Sequence, residues 1–276
     1  MDKSVPPVFT ALTVSVSDSV ATVQLNRPEA ANAMNEAMWQ ELRQAFQWLD
    51  TAASVRVVVL VATGKVFCSG IDFAMLAGIQ QRIGPSGSAR SREALRRIIL
   101  DLQDCLSAIE QCSKPVLAAV HGACIGGGLD LICCCDMRYA SAEASFSVRE
   151  IDIGMVADVG TLQRLPGFVG EGLARELAYT GRDVPAAEAA SIGLVNRVCG
   201  SQEELLAFVQ GLAGQIAAKS PLATRGIKQV MNYSRDHSVA DGLNFVATWN
   251  AAMLLSEDLA EAVKARQERR PPRFAD

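Results

Sequence analysis

Histidine is scarce in this chain: His121 and His237 are the only two among 276 residues. With no GxSxG turn either, a Ser-His-Asp hydrolase is excluded, because its nucleophile needs an imidazole beside it. A GxxxxGK[ST] phosphate loop is missing and no GxGxxG follows a strand, so nucleotide hydrolysis and hydride transfer lose their usual glycine signatures. The eight cysteines, of which Cys133, Cys134 and Cys135 are consecutive, form no CxxC pair and no metal-ligand spacing. They predict buried free thiols in a reducing compartment and no metal site. No apolar run reaches membrane-spanning length. The opening MDKSVPPVFT lacks both a signal-peptide core and an Arg-rich amphipathic pattern, and the closing RFAD is not an SKL-type address. The expectation is a cytoplasmic protein with no membrane partner. A formal net charge of −4 gives no reason to expect nucleic acid, and the Arg clusters at 90–97 and 264–273 read as solvated helix faces.

What is present is a half-hydrophobic chain able to bury a large core, as one domain or one domain with an appendage. The N-terminal two-thirds alternates strand and helix signals. ALTVSVSD and VATVQLNRP alternate as a β-hairpin does, and NEAMWQELRQAFQWLDTA has helical spacing. VRVVVLVAT is a continuous β-branched run, expected of a strand covered on both faces. Residues 79–92, IQQRIGPSGSARSR, read as a loop, followed by the helix EALRRIILDLQDCLSAIEQC. KPVLAAVHGACIGGG repeats strand then glycine turn, GLDLICCCD opens a helix, and MRYASAEASFSV returns to strand. From about residue 200 onward the pattern is almost wholly helical, as regions where subunits meet often are, though such helices could equally cap the chain's own core.

The chemistry that remains rests on glycines and carboxylates. FCSGIDF, residues 67–73, and GACIGGGLD, residues 122–130, are glycine turns after strands, where freed backbone N–H groups point outward. Side by side they could hold one oxygen between two donors, as an oxyanion hole does. Downstream, VREIDIGMVADVG sets Glu150, Asp152 and Asp158 among apolar residues. A buried carboxylate is costly unless it is paired or its proton is part of the function.

Together with LNRPEAANAMN, AAVHGACIGGGLDL, CDMRYAS and the run to GTLQRLP, these segments resemble the crotonase (enoyl-CoA hydratase/isomerase) superfamily from about residue 10 to 265. The resemblance implies an α/β fold. A crotonase-like spiral of ββα units would occupy 1–200, and a C-terminal helical oligomerisation region 201–276 would form a homotrimer or a dimer of trimers. It implies an acyl-CoA thioester whose carbonyl oxygen lies between the N–H groups of Ile71 and Gly127. Arg27 and the backbone of Ser69, Gly70, Ile71, Asp72 and Phe73 would hold the nucleotide part. No cofactor is implied beyond the coenzyme A of the substrate.

Hydratases that this chain resembles carry Glu at both positions matching Asp130 and Glu150, around a water. Here the first is Asp, and a third acid, Asp158, stands where they have a glycine-rich turn. GGGLD, REID, VADVGTLQRLP and SRDHSVADGLNFVATWN look like the Δ3,5-Δ2,4-dienoyl-CoA isomerase branch, with a place in fatty-acid β-oxidation. That reaction takes a proton from C2 and delivers one to C6, farther apart than one base easily reaches. The resemblance gives Glu150 to C2 and Asp158 to C6, with Asp130 biasing which acid holds the proton. Each acid also has a structural reading: Asp158 as an N-cap before VGTLQRLP, Asp130 as a first-turn carboxylate. Arg27 could form an ordinary ion pair. Asp152 should point away from Glu150 if the segment is extended, and His121 and His237 read as structural. The rivals are a 2-enoyl-CoA hydratase using Asp130 and Glu150, and a non-catalytic acyl-CoA-binding protein.

Overall fold

The computed structural model describes residues 6–84 and 87–276. Strands β1 (Leu12–Ser17) and β2 (Val20–Leu25) form an antiparallel hairpin, with Leu12 opposite Leu25 and Ser17 opposite Val20. Its turn residues Asp18 and Ser19 have φ of 51° and 64°, the left-handed values that a two-residue hairpin turn requires. Helix α1 (Glu36–Thr51) follows, capped by Asn35, and buries Met38, Trp39, Leu42, Phe46 and Leu49 along one stripe. Next come β3 (Val57–Ala62), α2 (Phe73–Ile83), α3 (Ala89–Gln111), β4 (Val116–Val120), β5 (Ala123–Ile125), α4 (Gly127–Cys133), β6 (Met137–Ser141) and β7 (Ser145–Ser147). A 3-10 turn over Glu150–Ile153 leads to α5 (Thr161–Arg164), α6 (Pro166–Val169), α7 (Glu171–Thr180), β8 (Val184–Pro185), α8 (Ala186–Ser191) and β9 (Arg197–Cys199). The chain ends in α9 (Gln202–Ala217), α10 (Pro221–Arg235), α11 (Val239–Met253) and α12 (Glu257–Gln267).

The main sheet has the order β1-β2-β3-β4-β6-β9 and is parallel from β2 onward, while β5-β7-β8 form a small second sheet. Every residue of β3 is buried. Val58 and Leu60 face α1 and α3, packing with Trp39, Phe46 and Leu106. Val57, Val59 and Val61 face α9 and meet Leu205, Val209 and Ala213. The strand is therefore apolar on both faces, as its continuous hydrophobic run implies. Each such side chain contributes about 1.5–3 kcal/mol of burial. The helical stretch after residue 200 thus begins with a helix, α9, that belongs to the sheet's own packing.

Two local expectations are corrected. The segment 79–92 is mostly helical: α2 runs to Ile83 and α3 begins at Ala89, capped by the Ser88 hydroxyl, which accepts from Ser91 N–H at 3.0 Å. Glycine and proline there are confined to 84–87, so only those few residues break the helices; residues 85 and 86 lie outside the described ones. VREIDIGMVADVG is not extended, because the 3-10 turn closes on Gly154 with φ of +72°. Alternation therefore does not govern Asp152, which instead lies on the exposed side of the turn, 3.7 Å from Arg149.

The last three helices leave much apolar surface uncovered. Ile227 and Met231 of α10, Val239 and Leu243 of α11 and Val263 of α12 are exposed, and Leu255 is 93% so. Within α11 only Gly242 is buried. Among the described residues no helix is long and apolar enough to cross a membrane.

Candidate active site

The two glycine turns meet. Cys68 N–H donates to Ala123 O at 3.1 Å and Ile125 N–H to Cys68 O at 2.9 Å, bridging FCSGIDF to β5. Met34 clamps the first turn from the other side, donating to Gly70 O at 2.8 Å and accepting from Asp72 N–H at 3.1 Å. Gly70 has φ of +96°, and a Cβ there would stand 3.1 Å from Ile125 O and 3.6 Å from Gly127 N. A Cβ on Gly127 would lie 3.7 Å from Ile71 N. The backbone nitrogens of Ile71 and Gly127 thus lie near each other where the two turns meet, and among the described residues neither N–H has a backbone acceptor. The arrangement fits an oxygen that gains negative charge.

Glu150 borders this space. A Cβ on Gly126, where φ is +53°, would lie 3.2 Å from Glu150 Oε1, so only glycine admits the carboxyl there. Asp130, from the first turn of α4, is fully buried, and its Oδ1 accepts from Thr161 N–H at 2.6 Å. The cap of α5 is therefore Asp130, not Asp158 as the helix-cap reading expected: Gly160 holds the N-cap position, and Asp158 lies two residues too early.

While both acids are ionised, neither Asp130 Oδ2 nor Glu150 Oε2 meets a donor. A proton on Glu150 supplies one and creates an Asp130–Glu150 hydrogen bond. Burial, then the Asp130 charge, push the Glu150 pKa from 4.5 to about 7. Burial raises Asp130 from 3.8 to about 6, against the downward pull of Thr161 and of the Glu150 hydrogen bond. The pair titrates as a unit around neutrality. Asp158 is half-buried, and desolvation raises its pKa against a backbone hydrogen bond that lowers it. Its charge is felt at both other acids.

The acids open onto different spaces. Glu150 lines a cavity of about 340 Å³ whose other walls are mainly apolar, including Val148, Met155, Leu162 and Leu165. Asp158 lines one of about 470 Å³ with Gln103, Ser107, Gln163, Arg164 and Arg235. Gln103 Nε2 donates to the Asp158 carbonyl oxygen at 2.6 Å, tying the acid's backbone to α3. Below, Glu110 of α3 receives Arg164 at 2.8 and 3.2 Å, and Arg235 of α10 as well. Burial alone would raise the Glu110 pKa, but these hydrogen bonds hold it below the ordinary value.

Arg27 is engaged in the ion pair that stood as its alternative, 3.2 Å from Asp72, and also donates to Ala33 O. Asp72 in turn caps α2, accepting from Ala74 N–H at 3.0 Å. Ser69 donates its N–H to Ala31 O at 3.1 Å, and Phe73 is 66% exposed beside them. His121 is buried with Nε2 3.0 Å from Gly64 O, and exposed His237 stacks on Tyr233. Neither histidine is among the acids' hydrogen-bond partners. Asn32 was missed by sequence reasoning. It is fully buried, accepts from Arg27 N–H, and donates to Thr63 O and Val66 O, each at 2.8 Å. Its φ of +53° is one that asparagine adopts more readily than most residues, and that is the signal LNRPEAANAMN offered.

Known proteins match this chain along most of its length. The sequence pattern of the enoyl-CoA hydratase/isomerase family matches residues 15–276. A protein of Arabidopsis thaliana named peroxisomal Δ3,5-Δ2,4-dienoyl-CoA isomerase is 49% identical over 95% of this chain and 94% of its own. A human protein named mitochondrial Δ3,5-Δ2,4-dienoyl-CoA isomerase is 46% identical over 92% of this chain and 78% of its own. The crystal structure of enoyl-CoA hydratase from Bacillus anthracis superposes with a TM-score of 0.88 at 29% identity, covering 96% of this chain and 99% of its own. The cytoplasmic placement expected from the sequence is corrected by the first two relatives, whose names are organellar. Free thiols and the absence of long apolar runs suit any reducing, water-filled compartment and do not single out the cytoplasm. By its fold, its paired glycine turns and these matches, the chain belongs to the enoyl-CoA hydratase/isomerase family.

Proposed function

We propose that the chain isomerises 3,5-dienoyl-CoA to 2,4-dienoyl-CoA in fatty-acid metabolism, by a two-carboxylate shuttle that takes a proton from C2 and delivers one to C6. The relatives named for that reaction support the reaction class. The observation that carries the mechanism is the buried Asp130–Glu150 pair set against the Ile71 and Gly127 N–H groups, with a third acid, Asp158, close enough to sense its charge.

Glu150, with a pKa near 7, is matched to removing a C2 proton at neutral pH. The electron pair from that C–H bond delocalises through the diene onto the thioester oxygen. Hydrogen bonds from Ile71 and Gly127 stabilise the dienolate, each worth on the order of 3 kcal/mol. Asp158 then gives a proton to C6. An apolar acyl chain seated against Asp158 strips water from it and raises its pKa further, favouring the protonated form this step needs. Arg27 and the 69–73 backbone carry the nucleotide end, the Arg27–Asp72 pair opening or reorienting to do so. The exposed apolar faces of α10, α11 and α12 support a homotrimer or dimer of trimers, with the core and the helical tail as the 1–200 and 201–276 regions.

The test follows a 3,5-dienoyl-CoA by ultraviolet absorbance for the conjugated 2,4-dienoyl thioester, with Glu150→Gln, Asp158→Asn and a 2-enoyl-CoA control. Conversion by the native protein and a loss of about 10²-fold or more in each variant is expected. Water addition to the 2-enoyl substrate alone, indifferent to Asp158→Asn, would make the chain a hydratase. Binding of both with turnover of neither would make it a non-catalytic acyl-CoA-binding protein.

A further inference from the structure

The proton cycle of such a site does not close by itself. Each turnover breaks the C2–H bond, leaving Glu150 protonated, and forms a C6–H bond, leaving Asp158 ionised. The reaction is neutral overall, so before the next turnover Glu150 must lose a proton and Asp158 must gain one. A direct return from one acid to the other is the simplest route, but no hydrogen bond among the described residues links the two carboxyls.

Protonated Glu150 donates to Asp130, which is fully buried and accepts from the Thr161 N–H at 2.6 Å, with the Thr161 hydroxyl also beside it. Among the described residues no hydrogen bond joins these groups to the Asp158 carboxyl. The cavity on Glu150's side is mainly apolar, with exposed Glu171, Arg175 and Tyr179 also on its walls, so it gives Glu150 a way out to solvent. Asp158 has different surroundings. Its cavity of about 470 Å³ is walled by Gln103, Ser107, Gln163, Arg164 and Arg235 and reaches the surface, where Gln163 and Asp236 are exposed. The space is polar and roomy enough for several waters. Its charged walls are already satisfied: Arg164 and Arg235 both grip Glu110, and Asp236 sits 3.4 Å from Arg235. Among the described residues no ion pair is made by Asp158.

We propose that Asp158 is reloaded from bulk water through this polar cavity, so that the proton delivered to C6 comes from solvent and not from C2. The proposal rests on the isomerase reading above. Glu150 gives up its proton to water once product leaves the mouth of the site, and Asp158 takes one from water on its own side. The charged groups around this exchange are Asp130, Glu171 and Arg175 on the Glu150 side, and Arg164, Arg235, Glu110 and Asp236 on the Asp158 side.

The experiment runs the native protein in deuterium oxide with unlabelled 3,5-dienoyl-CoA over many turnovers, and reads deuterium at C6 of the product by NMR. Close to one deuterium at C6, the same early and late in the reaction and absent without protein, is expected. Product that carries mostly protium at C6 overturns the proposal, because the C2 proton has then been returned internally. No conversion at all would instead sink the isomerase reading, so the two failures are distinct. Ser107→Phe, which fills the polar cavity from α3, gives a second readout. It should lower kcat at least threefold with KM unchanged and raise the protium content at C6. Gln163→Leu, at the exposed rim, should act in the same direction more weakly. An unchanged kcat and full deuterium at C6 in a folded Ser107→Phe protein would also overturn it.

Discussion

Replacing Asp130 by Asn tests the acid pair most directly. The amide keeps an oxygen for the Thr161 N–H, so the cap of α5 survives, and presents an NH₂ donor to Glu150 where a second carboxylate stood. The Glu150 pKa stands at about 7 instead of 4.5, with burial the larger cause and the Asp130 charge the next. At about 1.4 kcal/mol per unit, that displacement corresponds to about 3 kcal/mol. Removing the charge and adding a donor should return at least about one unit of it, because both changes favour the ionised form. The acidic limb of the kcat/KM profile for dienoyl conversion should therefore move down by about one unit or more, with a lower plateau from the weaker base.

Stability should change in a matching sense. Both acids have folded pKa values above their ordinary ones, so their contribution to stability is present below the ordinary values and lost as pH rises through about 6 to 7. Asp130→Asn removes much of that loss. The melting temperature of the variant relative to the native protein should be more favourable at pH 8 than at pH 5, with roughly 2–4 °C for each kcal/mol. An acidic limb that stays in place, or a variant that gains nothing at pH 8, would refute the shared proton.

The remaining expectations concern the frame of the site. Gly127→Ala sets a methyl 3.3 Å from Met34 Sδ and 3.7 Å from Ile71 N, in the space proposed for the thioester oxygen, so kcat should fall on the order of 10²-fold or more with little change in a urea melt. Asn32→Ala orphans the Thr63 and Val66 carbonyls and should cost about 2–4 kcal/mol by urea denaturation, while raising KM through the loosened Arg27 loop; an unaffected KM would detach that loop from substrate. Leu205→Ala empties the interface of α9 with the sheet and should cost about 2–5 kcal/mol, with kcat per folded molecule preserved.

The legible parts of this molecule were those where one physical demand rules a whole segment. VRVVVLVAT could only be a strand covered on both faces, and two glycine turns after two strands announced exposed N–H groups. Glu150 was legible as an acid in an apolar setting, while Asp130 came forward only through the family resemblance. What the sequence hid depends on contacts between distant segments. Asp130 caps a helix 31 residues downstream, a link that no local pattern carries. The 3-10 turn at Glu150 is decided by closure onto Gly154 and its packing, and the alternating residues around it mimic a strand. The start of α3 was masked by four residues of glycine, proline and serine, whose influence ends at the Ser88 cap. The periodicity of α9 marks a helix but cannot say that its partner is a sheet built from the first half of the chain.

The grip of Arg164 and Arg235 on Glu110 joins three parts of the chain at one peg: the long α3, the short α5 just beyond Asp158, and α10 of the C-terminal tail. Gln103, two helical turns earlier on α3, holds the Asp158 backbone from the same beam. The Asp158 backbone is thereby tied through α3 to the seating of α10, whose outer face carries Ile227 and Met231 bare to solvent. A load on that face reaches the acid through a single joint, the Glu110 carboxylate.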